Sequence, residues 1–165
     1  MMENYNLFKK EKAVKIKRQW VRLTRACNNR CLFCLDNEAQ DGSCIDFSII
    51  KDTLERGRAI NAKKAILSGG EPTLHPELFK IIRAARDLGY SEIQIITNGR
   101  MFAYEEFLRQ AVNCGVSEIT FSIHGHTPKL HDRQTQVKGS FEQSIRGLLN
   151  ARKIKGLIVN VDIVI

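Results

Sequence analysis

The stretch Ser117-Glu118-Ile119-Thr120-Phe121-Ser122-Ile123, read with the later run Leu157 to Ile165, decides the fold. Alternate side chains of an extended strand fall on opposite faces. Thr120 and Ser122 therefore share one face of their strand and Asn160 and Asp162 one face of theirs, with Ile119, Phe121, Ile123, Val159, Val161 and Ile163 opposite. A doubly wound sheet meets helices on both faces and needs both apolar, whereas a barrel is covered by helices only outside and keeps a lumen for a ligand. One apolar and one polar face favour the barrel. Arg22 and Thr24 in Gln19 to Ala26, and Gln94 in Glu92 to Thr97, repeat the alternation, and Lys64 to Ser68 reads as a further strand.

Between these strands lie amphipathic helical stripes: Ile49, Ile50, Thr53 and Leu54; then Leu78, Ile81, Ile82, Ala85 and Leu88, stopped by Gly89; then Phe107, Leu108, Ala111 and Val112, stopped by Gly115. Ser140 with Gln143 three residues on reads as a capping box that opens a helix burying Phe141, Ile145, Leu148 and Leu149. Strand and helix alternate without a sequence repeat. The expectation is an α/β chain with right-handed crossovers, a partial parallel (βα) barrel of about five strands.

The composition, 43% hydrophobic and 27% charged over 165 residues, is that of a globular domain, neither disordered nor fibrous. No apolar run reaches the roughly 20 residues needed to cross a bilayer. Met1 to Trp20 shows no apolar leader or cleavage site, so a cytoplasmic protein is expected, with no membrane partner. Lys and Arg outnumber Asp and Glu by 26 to 18, a formal charge of +8, and part of the excess lies in Lys9 to Arg18. Residues 1–18 are read as a basic N-terminal segment and 19–165 as the core domain. Without interleaved aromatics the basic run reads as a solvated tail in preference to a nucleic-acid site, though anionic partners remain compatible with it.

Cys27, Cys31 and Cys34 stand in Cys-Asn-Asn-Arg-Cys-Leu-Phe-Cys, directly after the first strand. Five cysteines leave one unpaired, so a disulfide framework is not the reading. Three thiolates leave one metal position open, because a structural zinc wants four protein ligands and an iron-sulfur cluster is normally held by four cysteines. Cys44 could complete a zinc site, at the cost of closing the polar loop Asp36 to Gly42 over it. Cys114 reads as a small buried residue.

The triad, with Phe33 before its last cysteine, resembles the signature of the radical S-adenosylmethionine (radical SAM) superfamily. Gly69-Gly70-Glu71-Pro72 after the second strand, Thr97-Asn98-Gly99 after the third and Ser122 in Ser-Ile-His-Gly resemble further landmarks of that family, in order and each at a strand's C-terminal end. Barrel enzymes place their chemistry there. The resemblance runs from about Trp20 to the last residue and implies a radical SAM barrel with two cofactors. Cys27, Cys31 and Cys34 would hold a [4Fe-4S] cluster, and Phe33, Gly69, Gly70, Glu71, Asn98 and Ser122 would bind S-adenosylmethionine. It further implies reductive cleavage of that cofactor to a 5'-deoxyadenosyl radical, which takes a hydrogen from an unidentified substrate such as a peptide or cofactor precursor. The electron would come from a donor such as flavodoxin or ferredoxin.

Two other readings stand beside it: a tRNA- or nucleotide-modifying member, favoured by the charge, and a non-catalytic iron-sulfur or zinc module. His124, His126 and His131 crowd one loop, but a Gly-rich turn and a short helix from Pro128 account for them, and no catalytic residue is assigned. A barrel of this family continues beyond a fifth strand, so the chain is expected to be incomplete at Ile165 and its last strand uncovered.

Overall fold

The computed structural model describes residues 17–163. Most of the basic run Lys9 to Arg18, and Val164 and Ile165 of the predicted fifth strand, lie outside the described residues. The elements in order are β1 (Arg18–Thr24), α1 (Phe47–Ala59), β2 (Lys64–Gly69), α2 (Leu78–Asp87), β3 (Glu92–Thr97), α3 (Glu105–Cys114), β4 (Glu118–Ser122), α4 (Pro128–Thr135), α5 (Ser140–Arg152) and β5 (Ile158–Asp162). Short 3-10 turns at Pro72–Leu74 and Met101–Ala103 follow β2 and β3.

All five strands pair in parallel and in sequence order, β1-β2-β3-β4-β5. A doubly wound sheet reverses its strand order at a switch point; this one does not. The apolar face carries Val21, Leu23, Leu67, Ile93, Ile95, Ile119 and Phe121, all buried, and packs against Ile50 and Leu54 of α1, Ile81 and Ile82 of α2, and Leu108 and Ala111 of α3. Tyr90 anchors this layer, its hydroxyl donating to the Leu54 carbonyl at 2.7 Å. The opposite face is mixed, with Arg22, Thr24, Lys64, Ser68, Gln94, Thr120 and Ser122 beside Trp20, Ile66 and Ile96. Register pairs Thr120 with Asn160 and Ser122 with Asp162, which puts Asn160 and Asp162 on the face of Ser122 as the alternation requires. Among the described residues no helix is long and apolar enough to cross a membrane.

Two helix readings need correction. Ser140 does not cap α5: Gly139 is the N-cap, at φ 82°, and the Ser140 hydroxyl is turned inward to donate to Asp132 at 2.9 Å. The Asp132 carboxylate, from α4, accepts the Gly139 and Phe141 amides at 2.6 and 2.9 Å, so a charged acceptor from the preceding helix has taken the capping role. Of the expected stripe Ile145 and Leu148 pack partly against the core and Phe141 is half-buried, but Leu149 is 51% exposed, and the residues α5 buries most fully include Ser144, Gly147, Asn150 and Ala151. Several of these are small or polar because this part of α5 lies on main chain. A Cβ on Gly147 would stand 2.2 Å from the Gly99 carbonyl oxygen. Ser144 donates to the Asn98 carbonyl at 2.7 Å, and Asn150 donates to those of Phe102 and Ala103 at 3.2 Å. Val161 in β5 and Ile163 just after it are 44% and 61% exposed, while Leu157 and Val159 pack partly against the core.

At the N-terminal ends of the strands the mixed face is closed by an ionic cluster. Buried Lys64 pairs with Glu118 and, at 3.6 Å, with Glu92, and Asn160 donates to Glu118 at 2.9 Å. Removing one partner of a buried ion pair strands the other charge. Lys64→Met is therefore expected to lower unfolding stability by about 3 to 5 kcal/mol, and Lys64→Met with Glu118→Leu by less than the single change, both read from denaturant midpoints at constant m-value.

Candidate functional site

The cysteine loop is fastened at three places. At its base the Thr24 hydroxyl donates to the Ser43 carbonyl at 2.7 Å and accepts the Ala26 amide at 2.9 Å. Along its length the Arg30 and Leu32 amides donate to the carbonyls of Thr135 and Gln134, at 2.9 and 3.0 Å, so the end of α4 supplies acceptors to the loop. Across the strand ends, Asn98 donates through its side-chain amide to Asn28 at 2.6 Å, and Arg100 holds the Asn29 side chain at 2.9 Å.

Gly69 and Gly70 are where they are because β1 leaves the sheet across them. A Cβ on Gly69 would lie 2.5 Å from the Thr24 carbonyl oxygen and one on Gly70 2.3 Å from that of Ala26. Gly69 also adopts φ 132°, a conformation L side chains rarely take. The close approach lets the amides of Gly70 and Glu71 donate to Thr24 and Ala26 at 2.8 and 2.7 Å.

Glu71 is 1% exposed, and its carboxylate points into the protein. One oxygen accepts the Thr73 amide at 3.1 Å, the Thr73 hydroxyl at 2.5 Å and the Thr97 hydroxyl at 2.7 Å; the other accepts the Asn98 amide at 2.7 Å. Burial pushes this carboxyl up from its ordinary range, and those hydrogen bonds pull against the shift.

One cavity gathers most of the residues singled out from the sequence. Cys27, Cys31, Cys34, Phe33, Gly69, Gly70, Asn98 and Ser122 line it, on the mixed face at the C-terminal strand ends. Glu71 does not; it stands behind Asn98. Cys44 bridges to Thr24 on an exposed edge, and Cys114 is buried beneath Arg83, so neither belongs to the cavity. Thr97 of the Thr97-Asn98-Gly99 landmark and His124 of the histidine loop line it as well, as do Asn29, Gln40, Ser68 and Ile96, which no motif marks. Gln40 donates to the Cys34 sulfur at 3.4 Å, a contact across a loop that no spacing announces. His124 was legible in principle, being two residues beyond Ser122 in the same alternation. Its ring meets Phe33 edge-on at 4.5 Å and stacks on buried His131 at 5.9 Å, and burial holds both imidazoles below their ordinary pKa.

The three thiols line one cavity, and Cys27 and Cys34 are near enough to act on Cys31. A cluster asks one sulfur of each iron, a demand this donor set can meet. Burial pushes the Cys31 thiol up to about 11, with Cys27 and Cys34 adding to the shift, and burial raises Cys27 also. Without metal these two groups are thiols at neutral pH, so loading must displace protons.

The radical SAM superfamily model matches residues 21–165. A probable GTP 3',8-cyclase of Saccharolobus solfataricus is 28% identical over 146 residues, which is 88% of this chain and 46% of that protein; the counterpart in Sulfolobus acidocaldarius is 27% identical over 135 residues, 81% of this chain and 42% of that protein. The chain thus spans about half the length of the curated relatives it matches. Among solved structures, HydG, a maturase of [FeFe]-hydrogenase, superposes with a TM-score of 0.73 at 12% identity, over 89% of this chain and 34% of its own. Streptococcus suis SuiB bound to S-adenosylmethionine superposes with a TM-score of 0.62 at 16% identity, over 83% of this chain and 29% of its own. Sheet order, the cavity at the strand ends and the family match over nearly all of the described residues agree: the chain belongs to the radical SAM superfamily.

Proposed function

We propose that this chain is the catalytic core of a radical SAM enzyme, with Cys27, Cys31 and Cys34 holding a [4Fe-4S] cluster and the rest of the cavity wall holding S-adenosylmethionine. The observation that carries the reading is the cavity itself, in which three thiols face a glycine-lined backbone, an amide, a strand serine and a phenylalanine. When bound, the two cofactors supply one-electron cleavage of the sulfonium to a 5'-deoxyadenosyl radical, which removes hydrogen from a substrate.

The residues divide the remaining work. Gly69 and Gly70 present peptide groups free of side chains to the cofactor. Asn98 and Ser122 offer hydrogen-bonding groups to its polar parts. Phe33, braced by His124, offers a ring face or edge to the adenine. Glu71 is a positioning residue: it fixes Asn98 and the Thr73 turn without reaching the cavity. Gln40 steadies the Cys34 sulfur. The probable GTP 3',8-cyclases among the relatives make a purine nucleotide one candidate for the substrate.

Anaerobic reconstitution followed by iron and sulfide analysis and a dithionite assay for 5'-deoxyadenosine tests the reading without the substrate. Four irons and four sulfides per chain with deoxyadenosine formed are expected; one zinc and none formed would sink it. Cys27→Ala, Cys31→Ala and Cys34→Ala are each expected to lose the cluster, and Cys44→Ala and Cys114→Ala to keep it. In the metal-free chain at pH 8, Cys31 should be alkylated about tenfold more slowly than in the denatured chain, because its raised pKa removes about a hundredfold of the thiolate while the more basic sulfur recovers part of the rate. Equal rates would show that the fold does not suppress this thiolate. Ser122→Ala should weaken S-adenosylmethionine binding with little change in thermal midpoint. Glu71→Gln should cost about 1.5 to 3 kcal/mol of stability as well as affinity, and a purely local loss of affinity would return Glu71 to the cofactor contacts.

A further inference from the structure

Cys27 has a second exposure. Besides the cofactor cavity it lines a recess formed with Asn28, Arg30, Gln136, Val137 and Lys138, and among the described residues it is the one common to the two. Asn28 continues this recess into a neighbouring one that includes Arg100, Tyr104, Gln143 and Arg146. Among the described residues no acidic side chain lines either recess. Arg100 is spent on the Asn29 and Gln143 side chains, at 2.9 and 2.6 Å. Among the described residues, by contrast, exposed Arg30, Lys138 and Arg146 enter none of the ion pairs, though Glu142 lies one turn before Arg146 on α5. Tyr104 stands 64% exposed beside them. Exposed aromatic and Arg side chains grouped on one surface are what protein interfaces concentrate, and an unpaired cationic field steers an anionic partner on approach.

We propose that this strip, Arg30, Lys138 and Arg146 with Tyr104, docks a small acidic one-electron carrier protein, which delivers its electron by way of Cys27. The inference rests on the cluster reading above and adds a location to it. The substrate must reach the lumen, where the radical is formed, so an anion held on this other side of Cys27 is in the wrong place to be the substrate. An electron has no such restriction, since a cluster ligand is a direct path to the irons. The transfer oxidises the carrier by one electron and reduces the cluster by one, with no bond made or broken.

The test uses the reconstituted chain and oxidised flavodoxin, whose binding is followed by fluorescence anisotropy at about 0.02 M and about 0.5 M salt, on either side of the range in which surface charge is screened. Lys138→Glu with Arg146→Glu is the test variant. Lys63→Glu with Lys155→Glu, exposed at the opposite ends of the strands, makes the same change in net charge and is the control. At low salt the test variant is expected to bind at least about tenfold more weakly than the parent, with the difference gone at high salt, and the control to stay within about twofold. Flavodoxin-driven deoxyadenosine formation should fall with the binding while the dithionite-driven reaction does not. Equal losses in test and control, unchanged binding, or a matching fall with dithionite would overturn the proposal. So would a larger loss of affinity for transfer RNA than for flavodoxin, which would assign the strip to nucleic acid. Failure of the cluster reading itself is seen earlier and separately, in the parent chain with dithionite alone.

Discussion

The carboxylate of Glu71 is buried between two strand ends with four donors aimed at it, and the geometry of the site follows from that arrangement. A carboxyl group taken out of water at that depth is tolerable only if its oxygens find partners. The donors come from the turn after β2 and from the end of β3, so satisfying them brings those segments together. The main chain of the same residue reaches the other way, to Ala26, and draws in the exit of β1. Asn98, fixed by Glu71 at its amide, then passes the constraint through its side chain to Asn28 in the cysteine loop and through its carbonyl to Ser144 of α5. Four segments distant in sequence share one polar hub.

The glycines show how steric and chemical demands coincide. Gly69 and Gly70 leave room for the carbonyls of Thr24 and Ala26, and the same bare backbone forms part of the cavity wall. A side chain at either position would push β1 away from β2 before it disturbed any ligand. The motif is at once a packing solution between neighbouring strands and a surface toward the lumen.

Strand alternation made the architecture legible. Thr120 with Ser122 and Asn160 with Asp162 announced a polar lumen, and the register places both pairs on one face. The cysteine spacing and the glycine motif, each at a strand end, marked the cavity for the same reason, since parallel strands deliver their C-terminal ends to one rim. What stayed hidden depends on contacts between segments far apart. Ser140 carries a capping signature, but Asp132 supplies a stronger acceptor, and Leu149 fits a helical stripe that the surface beneath α5 does not ask for. Gln40 and Glu71 exchange their apparent roles in the same way: the residue with no motif touches a cysteine sulfur, and the motif carboxylate turns its back on the cavity.

The lacing of the cysteine loop to α4 has a consequence for how the protein is made. Arg30 and Leu32 find their acceptors at Thr135 and Gln134, more than a hundred residues further along the chain. At synthesis rates of about 5 to 20 residues per second, the triad leaves the ribosome roughly 5 to 20 seconds before the segment that gives its loop a shape. During that interval the thiols belong to an unsupported loop, open to oxidation and to stray metal ions. Whatever protects nascent cysteines in the cell must cover that interval, and on the cluster reading proposed above, orderly insertion would wait for the folded sheet rather than take place on the emerging chain.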